Sequence, residues 1–158
     1  MTTGLFIDVA NLYFCVKKRF LGRKVNYEYL YEKFKPTTCA KAYGVRLQSE
    51  ANSFIKTLKQ IGFETRFIKS IPKRHTSLNV DITMDIVRRA SKLSTVILGT
   101  TDRDILPLVK WLQEQGIKTI IMGCGVPIEL QTSGVEIVEI TEDYLEIKDD
   151  TTNSTDKT

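Results

Sequence analysis

The chain opens on a short continuous apolar run, Leu5-Phe6-Ile7, of the kind expected for a strand covered on both faces. From Asn11 to Phe20 the spacing changes. Leu12, Cys15, Val16 and Phe20 recur at helical intervals, and Gly22 supplies a stop. A second helix is predicted over Asn26–Phe34, with Tyr27, Leu30, Tyr31 and Phe34 as its stripe and Pro36 ending the pattern. Strands are then predicted at Cys39–Leu47, Phe63–Ile68, Thr95–Leu98, Lys118–Met122 and Val135–Ile140. Helices are predicted at Ser49–Ile61, at Val80–Leu93, around Ile105, Leu108, Val109 and Leu112 up to Gly116, at Pro127–Gln131 and at Thr141–Ile147. Lys69–Asn79 is polar and basic and reads as a loop. From Lys148 the chain is polar and without periodicity, so an ordered domain over 1–147 and a disordered tail over 148–158 are expected. Strands separated by helices imply βαβ units with right-handed crossovers. The expected fold is therefore an α/β three-layer αβα sandwich around a mostly parallel sheet, Rossmann-like in plan.

Composition narrows the class. Of 158 residues, 42% are hydrophobic and 27% charged, as in a folded protein rather than a disordered or fibrous one. No apolar run approaches the roughly 20 residues that span a bilayer. The opening MTTGLFIDVANLY lacks a basic region and breaks its apolar run with Asp8, so a signal peptide is not expected either. Three widely spaced cysteines without a CxxC exclude a disulfide framework and a thiolate zinc site, and fit a cytoplasmic location. A single histidine, His75, excludes metal sites that need two. With 23 Lys and Arg against 19 Asp and Glu, the net charge of +4 only weakly suggests a polyanionic partner.

In parallel sheets ligands bind beyond the carboxyl ends of the strands, so the residues there carry the candidate chemistry. Asp8 ends the first strand, and Asn11 follows three residues on. Thr100-Thr101-Asp102-Arg103-Asp104 follows the strand Thr95–Leu98 and Gly99; Pro107, tolerated only in a first turn, sets the next helix to begin near Asp104. Asp81 and Asp85 share a face of the helix after the basic loop. Each has an ordinary explanation. Asp8, Asn11 and one of Asp102 and Asp104 would serve as helix caps, Asp81 as a favourable charge at a helix N-terminus, and Asp85 as a solvent-side ion pair with Arg88 or Arg89. Two aspartates and two threonines are more than one cap needs, however, and the topology gathers Asp8, Asp81, Asp102 and Asp104 at one sheet edge. Four carboxylates in one crevice repel unless a cation neutralises them. Hard oxygen ligands without cysteine or paired histidine point to Mg2+ or Mn2+. Such an ion activates water and stabilises a phosphodiester during displacement.

These segments resemble the NYN domain family, the LabA-like branch of the PIN-like nucleases, from Gly4 to about Tyr144. Phe6-Ile-Asp8-Val-Ala-Asn11-Leu12 is similar to the family's opening hydrophobic-Ile-Asp-Gly-x-Asn-hydrophobic. Val80-Asp81-Ile-Thr-Met-Asp85 resembles its central Val-Asp-x-x-hydrophobic segment, which also carries a later aspartate. Thr100-Thr-Asp102-Arg-Asp104-Ile-Leu-Pro107-Leu108 resembles Ser-Gly-Asp-x-Asp-Phe-x-Pro-Leu after a strand. The resemblance implies a PIN-like fold and an acidic site binding Mg2+ or Mn2+, with ribonuclease activity. Carried over, Asp8, Asp81, Asp102 and Asp104 are metal ligands or position metal-bound water, and Asn11 and Thr100 bond ligands or substrate phosphate. The chain departs from the pattern at Val9, at Thr100-Thr101 and at Ile105, and Asp85 falls closer to Asp81 than the pattern expects.

Lys17, Lys18, Arg19, Arg23 and Lys24 form one basic run, and Lys69, Lys73, Arg74 and His75 another; each supplies phosphate contacts or is simply solvated surface. Tyr13, near Asn11 and off the apolar stripe, is the best candidate for base stacking, ahead of Phe14 and Trp111. Thr101 joins Thr100 among the candidate substrate contacts. The expected function is a metal-dependent nuclease acting on RNA. The alternative is a non-cleaving RNA- or protein-binding regulatory module that keeps the acidic pocket. A phosphatase or other Asp-x-Asp phosphoryl-transfer enzyme, including a Toprim-like one, fits less well, because Toprim sites want a glutamate at Asp8 and Asp8-Val-Ala supplies no Asp-x-Asp. A homodimer is compatible with the sequence.

Overall fold

The computed structural model describes residues 1–46, 51–70 and 77–148. Its elements are β1 (Thr3–Asp8), α1 (Val9–Arg19), α2 (Tyr27–Phe34), β2 (Cys39–Arg46), α3 (Ala51–Ile61), β3 (Glu64–Lys69), α4 (Asn79–Arg89), β4 (Thr95–Gly99), α5 (Leu106–Glu114), β5 (Lys118–Gly123), α6 (Ile128–Gln131) and β6 (Glu136–Glu139). The six strands form one sheet in the order β3-β2-β1-β4-β5-β6, every pairing parallel. Strand alternation divides the core in two. Leu5 and Ile7 of β1 pack with Leu12 and Val16 of α1, Leu30 of α2 and Leu58 of α3. Phe6 points the other way, toward Ile82 and Ile86 of α4 and Leu108, Val109 and Leu112 of α5. The result is the expected three-layer αβα sandwich, with a sheet that is wholly rather than mostly parallel.

The topology also fixes where a ligand can sit. From β1 the chain winds outward through β2 to β3, returns through α4 to β4 beside β1, and then winds the opposite way. The two directions part between β1 and β4, which opens a crevice at their carboxyl ends. Ile7 pairs with Gly99 across these strands, so Asp8 and Thr100 emerge side by side at the crevice.

Several boundaries differ from the sequence reading. Helix α1 starts at Val9, two residues earlier, because Asp8 caps it directly. Helix α4 takes Asn79 into its first turn and ends at Arg89, with a 3-10 turn continuing over Ala90–Lys92. The helix expected at Thr141–Ile147 is a single 3-10 turn, Glu142–Tyr144. Its neighbouring backbone is occupied elsewhere: the Asn26 N–H donates to the Tyr144 carbonyl and the Glu146 N–H to the Lys24 carbonyl, so Leu145 stays extended and bridges Val25. Ser49, the basic residues Lys73, Arg74 and His75, and the tail from Asp149 lie outside the described residues. Among the described residues, no helix is long and apolar enough to cross a membrane.

Candidate functional site

Asp8 is the last residue of β1 and the N-cap of α1, accepting the Asn11 backbone N–H at 3.0 Å. Only 9% of it is exposed. Burial raises its carboxyl above the ordinary aspartate pKa. The Asn11 and Ala10 N–H groups pull it back, and the neighbouring Asp102 carboxylate pushes it up again. One turn further, the Asn11 side-chain oxygen accepts the Thr101 N–H at 3.0 Å and the Thr101 hydroxyl at 3.2 Å. This amide locks the start of α1 to the turn after β4, across the crevice. Thr101 fits there because the residue beside it, at the end of β5, is Gly123, where a Cβ would collide with the Thr101 methyl.

Asp102 is held from three sides. Its N–H donates to the buried Thr100 hydroxyl at 3.2 Å. One carboxylate oxygen accepts the Asp104 N–H at 2.9 Å, which caps the 3-10 turn leading into α5. The other accepts the side-chain N–H of Asn79 at 2.9 Å. Asp102 accepts only, so the Asn79 amide must present its nitrogen here and turn its oxygen away. That oxygen is buried and has no partner among the described residues, an arrangement that costs about 1–3 kcal/mol when nothing satisfies it. Asn79 went unnoticed in the sequence because an amide opening a helix is commonplace. Its only signal was its place, first in α4, at the carboxyl edge of the sheet.

The four-aspartate cluster expected from the sequence is corrected by the geometry. Residues two apart on a helix point about 200° apart. Presenting Asn79 to Asp102 therefore turns Asp81 away, where it accepts from the Arg66 Nε at 2.9 Å. Asp104 is exposed and meets Asp102 through its backbone N–H. Among the described residues, no three Asp, Glu, His or Cys side chains come together as a metal-binding group. What converges is a pair, Asp8 and Asp102, with the Asn79 amide nitrogen bonded to Asp102.

Asp85 is also not the solvent-side partner of Arg88 or Arg89. It accepts from Lys41 Nζ and from the Tyr43 hydroxyl, each at 2.7 Å, and thereby ties α4 to β2. Burial by itself would raise its carboxyl, but these two bonds outweigh burial and hold it below the ordinary value. Burial and the bond to Asp85 push the Tyr43 phenol far up. Arg89 bonds Glu64 instead, at 3.0 Å.

The two carboxylates of the crevice, Asp8 and Asp102, are hard oxygen donors, and Asn79, which meets Asp102 through its nitrogen, would add a third on turning its amide over. This set fits Mg2+ or Mn2+ and lacks the sulfur or nitrogen that would favour zinc. On α1, Tyr13 and Phe14 are 52% and 66% exposed and meet edge to face at 5.4 Å. Lys17 lies 5.7 Å from the Tyr13 ring centre, and Lys18 and Arg19 are exposed beyond it. Arg23 is drawn away to the Glu146 carbonyl at 2.8 Å. Trp111 packs, partly buried, against the core under α4 and α5.

No curated protein matches the sequence. A crystal structure of a protein of unknown function from Vibrio parahaemolyticus is similar in fold, with a TM-score of 0.82 at 24% identity, covering 92% of this chain and 96% of that one. The NYN domain model matches residues 2–140, which takes in β1, β4 and both carboxylates of the crevice. The chain belongs to the NYN domain family, within the PIN-like nuclease superfamily.

Proposed function

We propose that this chain is a nuclease that hydrolyses the phosphodiester bonds of single-stranded RNA with the help of Mg2+ or Mn2+. Family membership supports a nuclease-type function. The observation that carries the finer reading is the pairing of Asp8 and Asp102 at the topological switch point, with the Asn79 amide bonded to Asp102 and its own oxygen buried and unpartnered among the described residues. Asp8, Asp102 and Asn79 would hold the cation. Once bound, it would supply activation of water and stabilisation of charge on the phosphate. The protein's own part is positional. Asn11 and Thr101 join the two halves of the crevice, and Thr100 sets the Asp102 backbone. Tyr13 and Phe14 offer ring faces to unpaired bases, while Lys17, Lys18 and Arg19, with Lys73 and Arg74 from the segment before α4, answer the phosphates. Purified protein with Mn2+ is expected to cut labelled single-stranded RNA, and to stop on addition of chelator or on replacement of Asp8 or Asp102 by Asn. Cleavage that survives both changes refutes this mechanism.

A second reading follows from the same crevice. Two carboxylates and an amide carry less negative charge than the expected four, which favours a module that binds RNA without turnover. It predicts retained RNA affinity with no product at any Mn2+ concentration; detectable, Asp8-dependent cleavage eliminates it.

A further inference from the structure

Helix α4 carries two apolar stripes. Ile82 and Ile86, with Leu78 just before the helix, face the core, all buried. On the opposite side, Val80, Met84 and Val87 are 71%, 45% and 42% exposed. They stand at i, i+4 and i+7, the spacing that packs one helix on another, where a surface helix ordinarily carries polar groups. One flank of this outer stripe is charged in an ordered way: Asp81 near its N-terminal end and Arg88 near its C-terminal end. Seven residues are almost two full turns, so both project along the same edge. Beside them lies a groove of about 240 Å3 lined by Arg66, Val80, Asp81, Met84, Asp85 and Arg88. The other flank carries Thr83 and no charge.

We propose that this face is where two copies of the chain associate, through antiparallel pairing of their α4 helices about a two-fold axis near Met84. The charge order selects this occupant. In an antiparallel pair, Asp81 of each copy stands opposite Arg88 of the other, and the symmetry makes two such contacts. A parallel two-fold pair would set the charged flank of each copy against the uncharged Thr83 flank of the other and make neither contact. Val80, Met84 and Val87 close over their counterparts, and the groove receives the Met84 and Arg88 side chains of the second copy. Asp81 keeps its bond to Arg66 through one oxygen and turns the other outward. An eleven-residue helix spans about 16 Å. A helix pair of that length buries less than the roughly 1,200–2,000 Å2 of a stable interface, so the dimer is weak, with a dissociation constant on the order of micromolar. This face is separate from the crevice: Asn79 faces Asp102, whereas Val80 is exposed and Asp81 meets Arg66.

The test is sedimentation velocity on the full chain, from low to high micromolar concentration. The parent protein is expected to pass from monomer to dimer, and Met84→Glu to remain monomeric. Asp81→Arg and Arg88→Asp, each alone, oppose like charges across the axis and weaken the dimer by about tenfold or more. Mixed in equal amounts, the same two variants restore opposite charges at both contacts and form a heterodimer at least as tight as the parent. Far-UV circular dichroism and melting curves check that each variant is folded. A parent monomeric throughout the range overturns the proposal. So does a parent dimer that survives Met84→Glu, or a mixture of folded charge variants that stays monomeric.

Discussion

Asp8 pulls stability in two directions. As an N-cap it satisfies the Asn11 N–H and stabilises α1, while its buried charge beside Asp102 opposes folding. Asparagine caps a helix about as well as aspartate, so Asp8→Asn keeps the first effect and removes the second; Asp8→Ala removes both. Loss of a cap costs about 1 kcal/mol, and in a chain of this size that lowers Tm by about 2–4 °C. Asp8→Asn is therefore expected to melt at or above the parent at neutral pH, and about 2–4 °C or more above Asp8→Ala. The sign with pH follows from the raised carboxyl. Between the ordinary aspartate value and the raised one, the folded state holds more protons than the unfolded state, so the parent loses stability as pH rises through that window. The advantage of Asp8→Asn should open across the window and close below it. Mn2+ at about a hundred times its dissociation constant would add about 2.7 kcal/mol to the parent, or roughly 5–11 °C, and much less to Asp8→Asn. Calorimetric melts of the three proteins from acid to neutral pH, with and without Mn2+, measure all of this. An Asp8→Asn protein that melts several degrees below the parent at neutral pH, or gains as much from Mn2+, refutes the reasoning.

Three further outcomes are expected. Asn79→Asp adds a third carboxylate to the crevice; it should lower Tm in chelator, through repulsion from Asp102, and tighten Mn2+ binding by about tenfold, on the order of 1.4 kcal/mol, as read by titration calorimetry. Asp85→Ala leaves Lys41 and the Tyr43 hydroxyl buried without their partner and should cost about 3 kcal/mol, or roughly 6–12 °C of Tm. Because the folded Asp85 carboxyl lies below its ordinary value, that contribution is present above the ordinary aspartate pKa and fades as pH falls through the folded one, so melts of parent and variant should converge in acid. Tyr13→Ala with Phe14→Ala should weaken single-stranded RNA binding by about 1–3 kcal/mol per stacked base, measured by fluorescence anisotropy, and leave the melting of the fold nearly unchanged.

Much of this architecture was legible in the residues. Continuous apolar runs such as Leu5-Phe6-Ile7 mark strands buried on both faces, and the spacing Ile105, Leu108, Val109, Leu112 marks a helix on one side of them. Alternating strand and helix then dictates a parallel sheet and places Asp8 and Asp102 at its carboxyl edge. What the pattern did not specify was rotation about α4. A shift of two residues decides whether Asn79 or Asp81 faces the crevice, and both registers keep an apolar stripe, because α4 is apolar on two sides. The partner of Asp85 was hidden for a different reason. Local spacing pointed to Arg88 and Arg89, whereas Lys41 and Tyr43 arrive from a strand some forty residues earlier. The last turn failed likewise, since backbone bonds from the α1–α2 connection hold Leu145 extended.

Metal-dependent cleavage by this chain requires Asp8, Asp102 and Asn79 to form one cation site at the crevice between β1 and β4. Anomalous diffraction from a crystal of the protein grown with Mn2+ tests this most directly. The expected result is a single strong peak within coordination distance of both carboxylates, with the Asn79 oxygen turned toward it. A peak at Asp81 or Asp104 that leaves Asp8 and Asp102 without metal, or no peak in the crevice at saturating Mn2+, would contradict it.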